Sequence, residues 1–270
     1  MKIFAVYRCL YGEDFVQESI KSILPYVEKV FVCWTDLVWG NVMSCQYKDW
    51  NVSFDRKFDH VLDRIGDLNS KKIHLIYNHR ENNENQFTYL INEKIIPEYG
   101  KPDLFIIPEI DHVQRKDQIE GAIAHVMGNN IQNASTVPIE LWRNHQYRIP
   151  ERHRMCTMFW NMNGIDQLPV TGRQANGKNL IHIPFYTWNF GFCVSPHVMY
   201  WKHLTSMAFS AKIGDDLPNP DWYEKWLTWT PTHNNSNLEI SKGYEHYITH
   251  AFEYDVTQLP ELIKEKYGIS

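Results

Sequence analysis

The chain has 270 residues, enough for one large domain, and its 43% hydrophobic and 22% charged residues support a packed core and exclude wholesale disorder. A net charge of −5 gives no global basic footprint, which argues against non-specific nucleic-acid binding, and no stretch approaches the roughly 20 apolar residues of a spanning helix. Aromatic residues reach 14%, with 10 Trp and 15 Tyr, and such rings either fill cores or offer flat surfaces to sugars and bases.

Residues 2–7 form an apolar run that reads as a first strand and is too short for a signal peptide. Residues 14–24 follow with helical spacing that puts Phe15, Ile20, Ile23 and Leu24 on one face, and Pro25 closes the helix. The β-branched and aromatic run from Lys29 to Trp34 predicts a second strand, ending at Thr35-Asp36. A helical pattern over 53–66, a third strand over 72–77, a helix over 85–98 and a fourth strand over 103–107 complete the first half. This alternation implies βαβ crossovers and a mostly parallel sheet. Beyond residue 135 it breaks down. Residues 137–142 and 154–160 read as strands, 162–180 as a loop, 180–194 as an aromatic strand region, and 197–212, 221–229 and 240–253 as helices. The expected architecture is a single α/β domain over 1–270, with a regular half (1–112) and an irregular half (113–270).

Several signals carry little chemistry. The five cysteines (Cys9, Cys33, Cys45, Cys156, Cys193) lack CxxC spacing and read as reduced thiols of a cytoplasmic protein. Residues 172–179 come near a phosphate-binding loop, but Asn179 stands where Ser or Thr would hold Mg²⁺, and a strand follows where a helix is needed. His246 and His250 are spaced for one helix face but have no companion ligand, so they read as surface histidines. Arg143, His145, Arg148, Arg152, His153 and Arg154 form one basic cluster, a solvated face or a phosphate-binding patch. Trp188, Trp222, Tyr223, Trp226 and Trp229 read as core more readily than as sugar platforms.

Open parallel sheets bind ligands beyond the carboxyl ends of their strands. Tyr7-Arg8, Trp34-Thr35-Asp36 and Glu109-Ile110-Asp111 stand at such ends. Two carboxylates one residue apart can share Mg²⁺ or Mn²⁺ and leave positions open for diphosphate oxygens, although acidic pairs after strands also occur as solvated turn residues.

The run from Lys2 to Arg8, the segments Glu13–Ile20 and Leu24–Val30, and Lys101 through Asp111 resemble the first half of family-2-type GT-A glycosyltransferases. The segment from Trp201 to Ser210 and Asp221-Trp222-Tyr223-Glu224 resemble the C-terminal part of many bacterial and phage members more loosely. Glu109 stands where the first Asp of the family's DxD motif usually is, and His112 where an acidic residue often follows. The resemblance implies a GT-A Rossmann-like mixed sheet flanked by helices, with residues 1–112 taking the nucleotide sugar and 113–270 building the acceptor site.

It further implies transfer, with inversion, of a sugar from a nucleotide-diphosphate donor, UDP-sugar favoured, to a hydroxyl acceptor. The acceptor class (glycan, small molecule, protein or modified nucleic acid) stays open. By the same resemblance, Tyr7, Arg8 and Trp34 border the nucleotide, and Asp36 contacts its base or ribose unless it is a turn cap. Glu109 and Asp111 hold Mn²⁺ or Mg²⁺ and the diphosphate, with His182 as third metal ligand unless it is a satisfied core histidine. Asp216, beside Asp215, is the expected general base, and Glu140 is the reserve. Two rivals remain, a nucleotidyltransferase and a non-catalytic glycan- or nucleotide-binding protein.

Overall fold

The computed structural model describes residues 1–9, 13–35, 42, 44–47, 49–53, 59–78, 84–150, 158–169, 180–213, 221–233 and 251–269. In chain order the first half holds β1 (Ile3–Cys9), α1 (Val16–Ile23), β2 (Lys29–Trp34), β3 (Ser44–Tyr47), β4 (Trp50–Ser53), α2 (Asp59–Gly66), β5 (Ile73–Tyr77), α3 (Glu84–Leu90), α4 (Ile96–Tyr99) and β6 (Leu104–Ile106). A single π-helical turn, Ile91–Ile95, joins α3 to α4, so the expected helix over 85–98 is one continuous helical segment. The second half holds β7 (His112–Val113), α5 (Lys116–Gly128), β8 (Asn133–Trp142), β9 (Asn144–Arg148), β10 (Phe159–Asn161), β11 (Ile181–Phe192), α6 (Pro196–Ile213), α7 (Trp222–Leu227), β12 (Phe252–Glu253) and α8 (Glu261–Tyr267).

The period-2 alternation of β1 splits its side chains between two cores. Ile3, Ala5, Tyr7 and Cys9 pack with Val30, Val32, Leu104 and Ile106 against α1, α2 and α5. Phe4 and Val6 pack with Phe31, Cys33 and Phe105 against the 84–99 helical segment. Helices cover both faces, as a parallel sheet requires. The parallel part runs β5-β2-β1-β6, matching the expected crossovers. The sheet then becomes mixed: β6 pairs antiparallel with β10, and β10 with β8. β8 runs parallel to β11 along one edge, while β9 takes the end of its other edge.

Three expectations change. The helix expected from 53 is described from Asp59, Ser53 itself pairs with Ser44 in the β3–β4 hairpin, and residues 54–58 lie outside the described residues. Helix α5 was not anticipated. The helix expected over 240–253 ends differently, since Phe252 and Glu253 pair as a strand with β9 and the Tyr254 N–H donates to the Gln146 carbonyl at 2.7 Å. Residues 234–250 lie outside the described residues. No described helix is long and apolar enough to cross a membrane.

Trp142, Trp188, Trp222, Trp226 and Trp229 join Phe15 and Phe190 in a third, aromatic core under α6, α7 and α8, with Tyr223 packed against it, so the expected core aromatics serve the core. Cys9 and Cys33 are buried free thiols; burial pushes Cys33 up to about 12 and Cys9 in the same direction.

Phe105 is fully buried, and its ring meets Phe4 edge-on with centroids 6.1 Å apart. Phe105→Ala is expected to destabilise the chain by about 3–5 kcal/mol in equilibrium urea unfolding.

Candidate functional site

Sheet order reverses beside β1, with β2 and β5 on one side of it and β6 on the other. At such a reversal the crossovers leave the sheet in opposite directions and open a crevice at the carboxyl ends of the strands. Past β6 the chain makes a tight turn there. The His112 N–H donates to the Glu109 carbonyl at 3.1 Å, and the Glu109 N–H donates to His112 Nδ1 at 3.3 Å. The turn brings one donor atom each from Glu109, Asp111 and His112 within 4.8 Å of one another.

The turn is held from two sides. From β11, the Phe190 N–H donates to the Asp111 carbonyl at 3.0 Å. From α1, Ser19 Oγ donates to the Glu109 carbonyl at 3.3 Å, and the Tyr7 hydroxyl donates to the Ser19 carbonyl at 3.2 Å. Strand pairing sets His112 of β7 opposite Asn189 of β11, and Asn189 opposite Glu140 of β8. These three residues therefore form a row across neighbouring strands.

Asp111 is only 5% exposed. Burial works against its charge, but the Lys202 ammonium and His112 outweigh it and hold the carboxyl below its ordinary range. Lys202 Nζ, from α6, lies 3.1 Å from Asp111 Oδ2 and donates to the Gly191 carbonyl at 2.9 Å. The other oxygen, Asp111 Oδ1, is buried with no hydrogen-bond partner among the described residues, a costly state for a carboxylate. Burial lowers the His112 pKa, and Lys202 adds to this against the opposing pull of Asp111 and Glu140. Its imidazole is therefore neutral near pH 7, and its single lone pair, on Nδ1, accepts from the Glu109 N–H, the hydrogen bond a cation would have to replace.

Two carboxylates and a neutral imidazole suit Mn²⁺, and the carboxylates alone suit Mg²⁺. The partnerless Oδ1 is the atom such a cation would satisfy.

A cavity of about 290 Å³ opens beside the group, lined by Glu109, Asp111, Glu140, Asn189, Lys202 and Trp222 among others. Gly191 allows this close packing. A Cβ there would lie 3.0 Å from Asn189 Oδ1, 3.1 Å from Asp111 Oδ2 and 3.3 Å from Lys202 Nζ.

The structure brings together Glu109, Asp111 and the reserve base Glu140. Arg8 and Trp34 stand at the carboxyl ends of β1 and β2, and Trp34 packs on Tyr77 with centroids 4.4 Å apart. Tyr7 is different. It is fully buried and faces α1, so it supports the turn through Ser19 and does not border a ligand.

His182 is also displaced from its expected place. It sits at the far end of β11, where its Nδ1 is 2.8 Å from Ser135 Oγ. It lies seven positions along β11 from Asn189, about 20 Å at the strand rise, too far to join Glu109 and Asp111. The third donor is His112, which the sequence hides because only the tight turn folds it back onto Glu109.

Arg143 of the basic cluster is a packing residue. Its guanidinium lies 4.4 Å from the centre of the Trp226 ring and donates to the Leu227 carbonyl at 3.3 Å. Asp36, Asp215, Asp216, Arg152, His153, Arg154, the 172–179 loop, His246 and His250 lie outside the described residues.

No protein-family model matches the chain, and no curated protein matches it. Among solved structures it is similar to the mannosyltransferase PcManGT from Pyrobaculum calidifontis in complex with GDP-Man and Mn²⁺, at 10% identity and a TM-score of 0.44, covering 82% of this chain and 66% of that one. It is similar to S. aureus TarS residues 1–349 at 12% identity and a TM-score of 0.38, covering 91% and 77%. A further likeness is to glucosyl-3-phosphoglycerate synthase from Mycobacterium tuberculosis in complex with Mn²⁺, UDP and phosphoglyceric acid, at 12% identity and a TM-score of 0.33. That overlap covers 51% of this chain and 43% of the synthase. Likenesses this distant transfer no residue role.

The depressed Asp111 carboxyl contributes stability that is present above the ordinary carboxylate range and lost as the pH falls through its lowered value. The unfolding free energies of the parent and Asp111→Asn should therefore converge below about pH 4. Denaturant titrations across the acid range check this, and a constant gap contradicts the pairing with Lys202.

Proposed function

We propose that the chain is a metal-assisted glycosyltransferase that moves a sugar from a nucleoside-diphosphate donor to a hydroxyl acceptor with inversion. The observation that carries the reading is the convergence of Glu109, Asp111 and His112 at the sheet reversal, with Asp111 Oδ1 left partnerless beside a sugar-sized cavity. In this reading Glu109, Asp111 and His112 hold Mn²⁺ or Mg²⁺. The ion supplies neutralisation of the negative charge that builds on the departing diphosphate.

The remaining work falls to the chain's own side chains. Trp34 and the 44% exposed Tyr77 offer an aromatic surface suited to the nucleotide base, and Arg8 stands at the neighbouring strand end, in register with Cys33. Asp36, one residue past the described part of that strand end, is assigned to the base or ribose. A uridine nucleotide is the first donor to test. Glu140, which lines the cavity and stands in strand register with Asn189, is the carboxylate positioned to take the acceptor proton. Asp216, with Asp215, remains the competing assignment.

Thermal-shift screening of UDP-, GDP-, dTDP- and CMP-sugars with and without Mn²⁺ tests the reading, since a ligand of the folded state raises its apparent stability. Asp111→Asn is expected to abolish the Mn²⁺-dependent part of any donor shift and the transfer itself. A variant with parental turnover in both EDTA and Mn²⁺ removes the metal–diphosphate role.

Glu140→Gln is expected to lower kcat by about 100- to 10,000-fold while donor affinity stays within about twofold. The same loss in Asp216→Asn, with Glu140→Gln active, moves the base to Asp216.

A further inference from the structure

The described charges around Asp111 differ in how they are attached. Glu109, Asp111 and His112 share one turn, whereas the cation in contact with them arrives from elsewhere: Lys202 reaches in from α6, 91 residues away in sequence. Its ammonium does two things at once. It donates to the Gly191 carbonyl at 2.9 Å, which anchors it to β11, and it lies 3.1 Å from Asp111 Oδ2, which leaves Oδ1 of that carboxylate without a partner among the described residues.

The Lys202 side chain is 27% exposed and that of Asp111 8%, so the contact is largely shielded from water. Charges at this spacing and in this setting interact far more strongly than on an open surface. Gly191 keeps the ammonium there: the space a Cβ would need is bounded by Lys202 Nζ at 3.3 Å and Asp111 Oδ2 at 3.1 Å.

We propose that Lys202 is the site's resident counter-cation, a positioning residue that holds Asp111 Oδ2, competes with a divalent metal for the same carboxylate, and so keeps metal affinity low. This rests on reading Glu109, Asp111 and His112 as a cation site. A divalent ion entering between these donors meets a fixed positive charge one carboxylate away, and the repulsion counts twice for an ion of charge two. Lys202 also holds one lobe of Asp111 still, so that an incoming ion meets Oδ1 and not a freely rotating carboxylate.

Charge and geometry pull in opposite directions, which makes the inference testable with the metal alone. Mn²⁺ binding to the full chain, with no nucleotide present, is measured by the loss of the free-ion electron-paramagnetic-resonance signal. Lys202→Met removes the charge and keeps most of the side-chain length. Its Mn²⁺ dissociation constant is expected to fall at least about tenfold below the parent's, because the electrostatic gain exceeds what is lost in positioning. Lys202→Arg keeps the charge and is expected to bind Mn²⁺ within about threefold of the parent. If the Met variant does not fold by circular dichroism, Lys202→Gln, which can still donate to the Gly191 carbonyl, takes its place with the same expectation.

A parent that binds no detectable Mn²⁺ beside a Met variant that does bind supports the inference in its strongest form. Equal affinity of the parent and the Met or Gln variant overturns it, as does an Arg variant that binds as tightly as the Met variant. Absence of binding in every protein overturns it together with the metal assignment. The donor-sugar screen is a separate measurement, so the glycosyltransferase reading stands or falls on its own result.

Discussion

Asp111 is nearly sealed from water, and a carboxylate there stays charged only while positive and N–H groups are held against it. Much of the second half of the chain is arranged around that requirement. Helix α6 carries Lys202, and the start of α6 is fixed by Asp14, whose Oδ2 accepts from the Ser195 N–H at 2.7 Å and from Ser195 Oγ at 2.8 Å. Asp14 lies just before α1, so the parallel half and the helix that brings the ammonium are tied together beside the acid they serve. Strand β11 contributes the Gly191 carbonyl on the other side. The aromatic core beneath, with Trp142, Trp222 and Trp226 buried, anchors α6 and α7 to the sheet.

The parallel half was legible because its central strands β1, β2 and β6 are buried on both faces and bounded by clear turn signals. Lys29–Trp34 and Leu104–Ile106 are almost unbroken apolar runs, and periodicity alone locates them. The acidic pair was legible for the same reason, since it sits where such a run stops. Its partners were not. His112 joins the pair through a four-residue hydrogen-bonded turn, and Lys202 through a helix far along the chain, so neither contact leaves a spacing signature.

Tyr7 and His182 show the complementary failure. Both lie in strands that do lead toward the site, but Tyr7 alternates onto the face packed against α1 and His182 sits at the wrong end of its strand. Strand membership is readable from sequence more easily than which end of the strand counts. The irregular half was harder still, because β8 shares one edge between β10 and β9 while pairing with β11 along the other, a pattern that no local run of residues encodes.

The aromatic core also gives the molecule a built-in optical reporter. Trp222 lines the cavity with one part of its ring and belongs to the buried cluster with the rest. Its ring centroid is 6.2 Å from that of Trp142, which in turn is 6.4 Å from Trp229, so excitation passes readily among these indoles before emission. A ligand that reaches Trp222 therefore touches one member of a communicating set, and a quenching contact there dims several chromophores together. Intrinsic fluorescence is thus a label-free way to follow an occupant that contacts this ring.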